Sequence, residues 1–359
     1  MAATLELEAN RFATTVDGLP VALYTLRNRS GMIVKITNYG GKVEQILVPD
    51  RNGELGDVAL GYDSIDAVLA GQPSMGAFIG RFANRIRHAR FELNGEAVAL
   101  SVNAGSHSLH GGTHGSRFRV FAARQLDASS LELIYVFADG EEGYPGTLPV
   151  RVIYSVTDEN ALRMEWSAAA VDKETVANFT NHTFFNLGAD PTTPVLDTEF
   201  MINAERFIAL DDGGFPAGEF RSVDGSALDF RAPRSVAAGL ALDDEQVRRA
   251  NGFDHHFVLN RQGADGSLDF AARAYDPASG RQLEVWSTEP GMQFFTGNNL
   301  AGKLPVDAGK DGRVFVFRGG FCLEPSRFPD SPNHPEYPST SVKPGEFYTG
   351  CIEYRFSAR

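Results

Sequence analysis

Glu324 is a carboxylate placed in an apolar part of the sequence. It directly follows Phe321, Cys322 and Leu323 and precedes Pro325, a pattern typical of the last residue of a buried strand. Removing a carboxylate from water disfavours its charged form and raises its pKa, which makes it a stronger proton acceptor near neutral pH. The stretch therefore raises the question of what a protein would do with an ionisable group in such a place.

Histidines in two further stretches could also take part in chemistry. His107, His110 and His114 lie in one Gly-rich stretch, with a spacing that would suit metal ligands on a helix, but its glycines disfavour a helix. We therefore expect no metal site and interpret His110 as an imidazole that a turn presents to a ligand. His182 lies in a second stretch, NFTNHTFFNLG, and taken alone it is better explained as a hydrogen-bonded core histidine.

Four further polar side chains interrupt apolar segments of the chain: Asn84, Arg85, Asp254 and Gln293. Arg85 carries five N–H donors in a planar fork, which it could point into a pocket. Asp254 comes just before an apolar strand, and taken alone it is better explained as a cap or a turn residue. None of these side chains defines a function by itself.

Alternation of apolar and polar residues predicts the strands that must position these side chains. The stretches 150–157 and 161–168 both alternate with a period of two, and the short polar segment between them predicts a hairpin. Asn94-Gly95 between two alternating runs is a type I′ turn signal. The stretch 32–60 reads as three further strands.

Helical periodicity is scarce, with short helical turns expected only at 64–70 and within 236–250. Glycines and prolines are spread evenly, and no linker or shift in composition marks a boundary. The sequence therefore predicts an all-β fold, a large antiparallel β-sandwich, with residues 1–359 forming one domain.

Composition and charge exclude several classes of function. The 359 residues have a formal net charge of −13 and no basic block, which disfavours binding to nucleic acid or to an anionic membrane. We find no signal peptide and no apolar run long enough to span a bilayer. With only two cysteines, Cys322 and Cys351, a reducing cytoplasmic location is expected.

Motifs for common cofactors and nucleophiles are absent from the sequence. It contains no G-x-G-x-x-G, no Walker-type GK[ST], no G-x-S-x-G and no H-E-x-x-H. Nucleotide cofactors and serine-hydrolase chemistry are therefore disfavoured, and what remains is a scatter of His, Asp, Glu and Arg in apolar or Gly-rich surroundings.

Six segments, taken together and in order, resemble the aldose 1-epimerase family, the galactose mutarotases. The resemblance extends over essentially the whole chain, and its motifs are GRFANRI, SLHGG, NHTFFNL, FDHHFVL, EPGMQFFTGN and FCLEPSRFPDSPN. It implies a β-supersandwich with an open cleft, no cofactor and a small aldose as the substrate.

The resemblance also implies a role for each candidate residue. Glu324 would be the general base, His182 the general acid, and His110 an assisting residue at the same edge of the sugar. Asn84, Arg85, Asp254 and Gln293 would hold sugar hydroxyls. His182 must be charged when it donates a proton, and we expect the nearby carboxylate to favour the imidazolium.

Two departures from the family pattern concern the preferred sugar. Pro325-Ser326 stands where members often have Thr-Gln, and His256 stands where Asn is frequent. The reaction implied is the interconversion of α and β anomers of a free aldohexose such as glucose or galactose.

Three alternatives remain open at this point. A hexose-phosphate epimerase would need several cations for the phosphate, for which Arg81, Arg85 and Arg327 are the candidates. A non-catalytic carbohydrate-binding protein of the same fold would need no acid/base pair. A His-ligated metal enzyme would contain stoichiometric metal. Whether the chain acts as a monomer or a homodimer is also left open.

Overall fold

The structure, a computed structural model, describes residues 6–264 and 266–359. Strands dominate this part of the chain. Those of the first half are β1 Thr14–Val16, β2 Leu19–Val21, β3 Leu23–Arg27, β4 Ile33–Thr37, β5 Lys42–Pro49, β6 Leu55–Asp57, β7 Phe78–Ile79, β8 Arg85–Ile86, β9 Arg90–Leu93, β10 Glu96–Ala99, β11 Ser108–Leu109, β12 Ala122–Gln125, β13 Ser130–Phe137 and β14 Leu148–Val156.

The second half continues in the same way and carries two of the three short α-helices found in the described residues. Its strands are β15 Ala161–Ala169, β16 Thr175–Val176, β17 Thr180–Asn181, β18 Glu199–Ile202, β19 Ala204–Leu210, β20 Pro216–Ser222, β21 Arg234–Ser235, β22 Asp254–Leu259, β23 Asp269–Tyr275, β24 Arg281–Ser287, β25 Gly291–Phe295, β26 Cys322–Ser326, β27 Ser341–Val342 and β28 Phe347–Ala358. The helices are α1 Ile65–Ala70, α2 Val236–Leu240 and α3 Glu245–Arg249.

Three sheets form the body of the molecule. A nine-stranded sheet has the order β12-β13-β14-β15-β28-β24-β23-β18-β21, a five-stranded sheet the order β20-β19-β22-β25-β26, and a four-stranded sheet the order β3-β4-β5-β6. Neighbouring strands in these sheets are antiparallel. The predicted all-β antiparallel sandwich is confirmed.

Local predictions from the sequence also agree with the structure. The hairpin between 150–157 and 161–168 is β14 paired with β15, with Leu162 opposite Val156. Asn94 and Gly95 link β9 to β10 and both have positive φ, 55° and 79°, as a type I′ turn requires. The expected helical turns are α1, α2 and α3. No helix in the described residues has both the length and the apolar character needed to cross a bilayer.

Aromatic side chains join the nine-stranded sheet to the five-stranded sheet. The ring of Phe200 in β18 lies 4.7 Å from that of Phe294 in β25 and 4.8 Å from that of Phe321. Such tilted and edge-on pairs contribute about 0.5–1.5 kcal/mol each beyond their burial. The five-stranded sheet therefore has one face firmly packed against the core.

The opposite face of the five-stranded sheet carries polar side chains, because side chains alternate along a strand. Phe294 and Leu323 belong to the core cluster, whereas Gln293 and Glu324 lie directly opposite each other in the β25–β26 ladder. Glu324 is the middle residue of β26 and not its last, since pairing continues through Pro325. A proline is tolerated there because β26 is the edge strand of the sheet.

Candidate active site

A cleft of about 370 Å³ opens over the polar face of the five-stranded sheet, and all seven side chains singled out from the sequence line it: Asn84, Arg85, His110, His182, Asp254, Gln293 and Glu324. Three neighbouring strands supply Asp254, Gln293 and Glu324, namely β22, β25 and β26. The other four come from the short pairs β8–β11 and β7–β17 or the residues next to them. Long-range pairing thus brings together segments that are far apart in sequence.

Glu324 and His182 face each other in the cleft, and both are buried. Oε1 of Glu324 lies 3.8 Å from Nε2 of His182, and the two residues are only 4% and 7% exposed. The imidazole stacks on Phe184, with ring centroids 5.1 Å apart, and Sγ of Cys322 lies 3.5 Å from its Nδ1. These contacts hold the ring in a single plane with Nε2 directed at the carboxyl group.

Burial shifts the two groups in opposite directions. Desolvation raises the pKa of Glu324 well above its usual value; the charge of Asp254 raises it further, and Arg85 opposes this. Desolvation, opposed by a backbone hydrogen bond and assisted by the cations Arg117 and Lys42, lowers the pKa of His182 to about 4. The expectation that the carboxylate keeps His182 charged is therefore wrong for the free site, because burial outweighs the attraction of that neighbour.

His110 presents a neutral N–H group to the same cleft. Its Nδ1 accepts a hydrogen bond from the backbone N–H of Asn84 at 3.2 Å, so the hydrogen of the neutral imidazole is on Nε2. Its ring meets that of His182 edge-on, with centroids 5.2 Å apart. Burial and then the neighbouring His182 lower the pKa of His110 well below its usual value. The side chain is therefore a neutral hydrogen-bond donor.

His110, His182 and Glu324 are also the group of side chains that could hold a metal ion, because their ligand atoms lie within 4.8 Å of one another. The hydrogen bonding of His110 does not suit metal binding. The lone pair on Nδ1 of His110 is engaged by Asn84, and its Nε2 then carries a hydrogen in place of a lone pair. His107 packs instead against Phe215, with centroids 4.4 Å apart.

The four remaining predicted side chains form a connected polar chain. Nδ2 of Asn84 donates to Oε1 of Gln293 at 3.0 Å, and Nε2 of Gln293 donates to Oδ1 of Asp254 at 2.6 Å. Nη2 of Arg85 lies 3.9 Å from Oδ2 of Asp254, and both side chains are 28% exposed. This connected set of side chains is pre-organised. The guanidinium of Arg85 and the carboxylate of Asp254 nevertheless keep free positions for the hydroxyl groups of a ligand.

Cleft residues that the sequence did not single out include four amides, Gln72, Asn251, Asn298 and Asn299, and two apolar side chains, Met75 and Phe295. Gln72 is anchored by its Nε2, which donates to Asp307 at 2.8 Å. Asn298 and Asn299 follow Gln293 closely in the stretch MQFFTGNN, and this amide pair after a glycine was the available signal. Nothing in the sequence marked Gln72 or Asn251.

Of the three arginines considered for a phosphate, Arg85 lines the cleft. Arg81 is buried and donates to the carbonyl groups of Phe137 and Gly146. Arg327 lies over the ring of Tyr348, 4.0 Å from its centroid. The cleft therefore lacks the cluster of cations that a dianion would need.

The departures from the family pattern lie beside the cleft and do not line it. His256 is 1% exposed, and its ring packs against Phe328 with centroids 5.4 Å apart. Pro325 and Ser326 are buried in the edge strand β26. Any effect of these residues on the preferred sugar would be indirect, through the position of Gln293 or Glu324.

Comparison with known proteins identifies the family. A family model described as aldose 1-epimerase matches residues 22–355. The galactose mutarotase of Bos taurus is 40% identical over 326 residues, covering 90% of this chain and 91% of its own. The aldose 1-epimerase of Escherichia coli K12 is 35% identical over 350 residues, covering 96% and 98%.

Solved structures agree with this assignment. The crystal structure of galactose 1-epimerase from Lactobacillus acidophilus matches with a TM-score of 0.82 and 27% identity, covering 96% of this chain and 97% of the other. An aldose epimerase homologue from C. elegans matches with a TM-score of 0.85 and 26% identity, covering 94% and 99%. The chain therefore belongs to the aldose 1-epimerase family, and it is an isomerase.

Proposed function

We propose that the chain interconverts the α and β anomers of a free aldohexose, with Glu324 and His182 as the proton-transfer pair. The observation that carries this assignment is the 3.8 Å approach of Oε1 of Glu324 to Nε2 of His182 at the bottom of an open polar cleft. A buried acid and a buried base at this separation can reach two oxygens on one carbon of a sugar ring. Membership of the family supports the reaction type.

Ring opening requires two proton transfers and one bond cleavage. Glu324 accepts the proton of the C1 hydroxyl, His182 donates its Nε2 proton to the ring oxygen, and the C1–O5 bond breaks as the C1 carbonyl forms. Rotation about C1–C2 then presents the other face of the aldehyde, and the same steps in reverse close the ring. Nothing is oxidised and no group leaves, so the two side chains balance the reaction by themselves.

The pair holds one proton throughout this cycle, in two arrangements. The cyclic sugar reacts once a proton has moved from Glu324 to His182, so that Glu324 is ionised and His182 is charged; with the open-chain aldehyde both are neutral, as they are in the free site. Burial raises the pKa of Glu324 and lowers the pKa of His182 to about 4, which favours the neutral arrangement. The environment therefore drives proton transfer in the direction of ring opening, the step that free solution makes slow.

The remaining side chains orient the sugar. The Nε2–H of His110 donates to an oxygen at the same edge of the sugar, which stabilises charge that develops there. Arg85 donates to ring hydroxyls, and Asp254 accepts from them. Asn84 and Gln293 keep Asp254 in position through the hydrogen bonds described above. Each hydrogen bond to a charged group contributes about 1.5–3 kcal/mol.

Galactose and glucose are the proposed substrates, and the names of the relatives favour galactose. A hexose phosphate is disfavoured because Arg85 is the single arginine of the three candidates at the cleft. We also propose that residues 1–359 form one domain and that the protein works in a reducing compartment such as the cytoplasm, since Cys322 and Cys351 are both free thiols.

Polarimetry on freshly dissolved α-galactose and α-glucose tests the proposal directly. The protein should speed the approach to the equilibrium rotation, and glucose 6-phosphate in the same assay should be a much poorer substrate. Sugar binding measured by calorimetry without any acceleration of anomer exchange would favour a non-catalytic carbohydrate-binding protein. Activity lost with a chelator and regained with metal would favour the metal enzyme.

A further inference from the structure

Arg117 lies directly beneath the turn that carries His110. Its side chain is 6% exposed, and its guanidinium donates to the carbonyl oxygens of His110 at 2.5 Å, Gly112 at 2.9 Å and Leu109 at 3.5 Å. One planar fork thus holds three carbonyl groups of a single four-residue segment. The cleft side chains described above do not include Arg117.

The turn needs such a support because its backbone is unusual. His110, Gly111 and Gly112 have φ values of 52°, 79° and 99°, three successive residues in the left-handed region. Glycine adopts this region at little cost, but a residue with a Cβ atom such as His110 pays about 1–2 kcal/mol. The conformation turns the carbonyl groups down towards Arg117 and the imidazole up towards the cleft.

The same conformation determines which nitrogen of His110 faces the sugar. The backbone N–H of His110 donates to the carbonyl of Asn84 at 3.0 Å, and its Nδ1 accepts from the backbone N–H of Asn84 at 3.2 Å. This two-way contact directs Nε2 into the cleft with its hydrogen. Any relaxation of the turn would release the contact and with it the tautomer.

Arg117 also brings a positive charge to the two histidines. Glu142 is an acidic group that acts on Arg117, and the charge of Arg117 still lowers the pKa of both His110 and His182 after the larger effect of burial. The charged or titratable groups that face His182 are His110, Glu324, Cys322, Arg117 and Lys42. Those that face His110 are His182, Arg117 and Arg85.

We propose that Arg117 is a positioning residue for mutarotation, which acts by clamping the His110 turn so that the Nε2–H of His110 points at the sugar. This inference rests on the proposed function of the cleft. It differs from a purely structural role, in which Arg117 would contribute to stability alone.

Arg81 offers a matched control for that structural role. It is 2% exposed and, like Arg117, it donates to buried carbonyl groups, those of Phe137, Pro145 and Gly146. Its guanidinium makes no hydrogen bond to the His110 turn. Arg81→Met and Arg117→Met therefore remove similar buried side chains from different surroundings.

The experiment combines histidine ¹⁵N NMR with kinetics for Arg117→Met, Arg117→Lys and Arg81→Met. In Arg117→Met we expect His110 to lose its pure Nε2–H tautomer, the pKa of His110 and of His182 to rise, and kcat to fall about 10- to 100-fold with a smaller change in KM. Arg117→Lys keeps the charge and loses the fork, so the low pKa values should persist while the tautomer and kcat are partly lost.

Arg81→Met should lower the melting temperature and leave the His110 tautomer and kcat unchanged. The inference is overturned if Arg117→Met behaves in the same way, with wild-type His110 resonances and wild-type kcat in the folded fraction. If Arg117→Met does not fold, Arg117→Lys decides by the same two readouts. The NMR readout does not depend on the assignment of Glu324, so failure of the proposed function would remain distinguishable from failure of this inference.

Discussion

Gln293 lies directly opposite Glu324 in the ladder between β25 and β26. The amide that holds Asn84 and Asp254 is therefore fixed to the same pair of strands as the carboxyl group that we assign as the base. The register of the sheet therefore keeps Gln293, and the sugar-binding side chains bonded to it, at a constant distance from Glu324. Rigid elements of this kind place catalytic groups more accurately than loops do.

Glu324→Gln should remove nearly all catalysis and keep the fold. The amide has the shape of the carboxyl group but cannot accept the C1 hydroxyl proton, so we expect kcat to fall by about 10²- to 10⁴-fold. Polarimetry measures the loss, and circular dichroism measures the fold. Glu289→Gln is the control, since Glu289 is equally buried but bonded to Tyr348 outside the cleft. A Glu324→Gln variant with a near-wild-type rate would contradict the assignment.

His182→Asn should lower kcat strongly, with a smaller change in KM. An asparagine keeps a polar group against Cys322 but cannot deliver a proton to the ring oxygen. Initial rates over a range of galactose concentrations separate the two constants. His107→Asn, outside the cleft, should behave as wild type. If KM alone changed in His182→Asn, then His182 would be a binding residue and another acid would be needed.

The pH dependence of kcat/KM should be bell-shaped with an acidic limb near pH 4. Below the pKa of His182, which is about 4, the pair binds a second proton and no base remains. Above the raised pKa of Glu324, the pair loses its last proton and no acid remains. Because Glu324 and His182 interact, each limb of the profile reports the protonation of the pair and not of a single residue. A flat profile across this range would rule out the paired mechanism.

Stability should also decline in acid, because several histidines are buried without charge. His256 is buried with a pKa lowered to about 3, against about 6.5 when unfolded. Its stabilising contribution is present above pH 6.5 and is lost as the pH falls towards 3, since the unfolded chain binds the proton first. Between pH 7 and pH 5 this amounts to about 2 kcal/mol of unfolding free energy.

His256→Asn should remove that part of the acid sensitivity. Urea denaturation at pH 7 and pH 5 measures the free energy of unfolding. Its decrease between these two pH values should be about 2 kcal/mol smaller in the variant than in the wild type. His114→Asn, at an exposed histidine, should keep the wild-type difference. An unchanged difference in His256→Asn would mean that the buried imidazole is protonated as readily in the folded as in the unfolded chain.

The sequence predicted the strand pattern, and the family resemblance singled out the seven side chains that line the cleft, but neither indicated the state of their protons. Alternation revealed β14 and β15, and the apolar run before Glu324 pointed to its burial, because both are local signals. The protonation of His182 depends first on its burial and then on Arg117 and Lys42, and only the three-dimensional fold sets all three. Gln72 and Asn251 were missed for the same reason: each enters the cleft from a loop without a distinguishing local pattern.

Asp254→Asn provides a test that joins sugar binding to proton transfer. The charge of Asp254 raises the pKa of Glu324, so the neutral amide should lower that pKa and move the basic limb of the pH profile to lower pH. KM should rise as well, because Asp254 accepts from Gln293 at 2.6 Å and lies 3.9 Å from Arg85. Asp139→Asn, which removes a surface carboxylate paired with Lys173, should change neither quantity. A higher KM with an unmoved basic limb would mean that Asp254 binds the sugar without influencing the base, and that burial alone accounts for the raised pKa of Glu324.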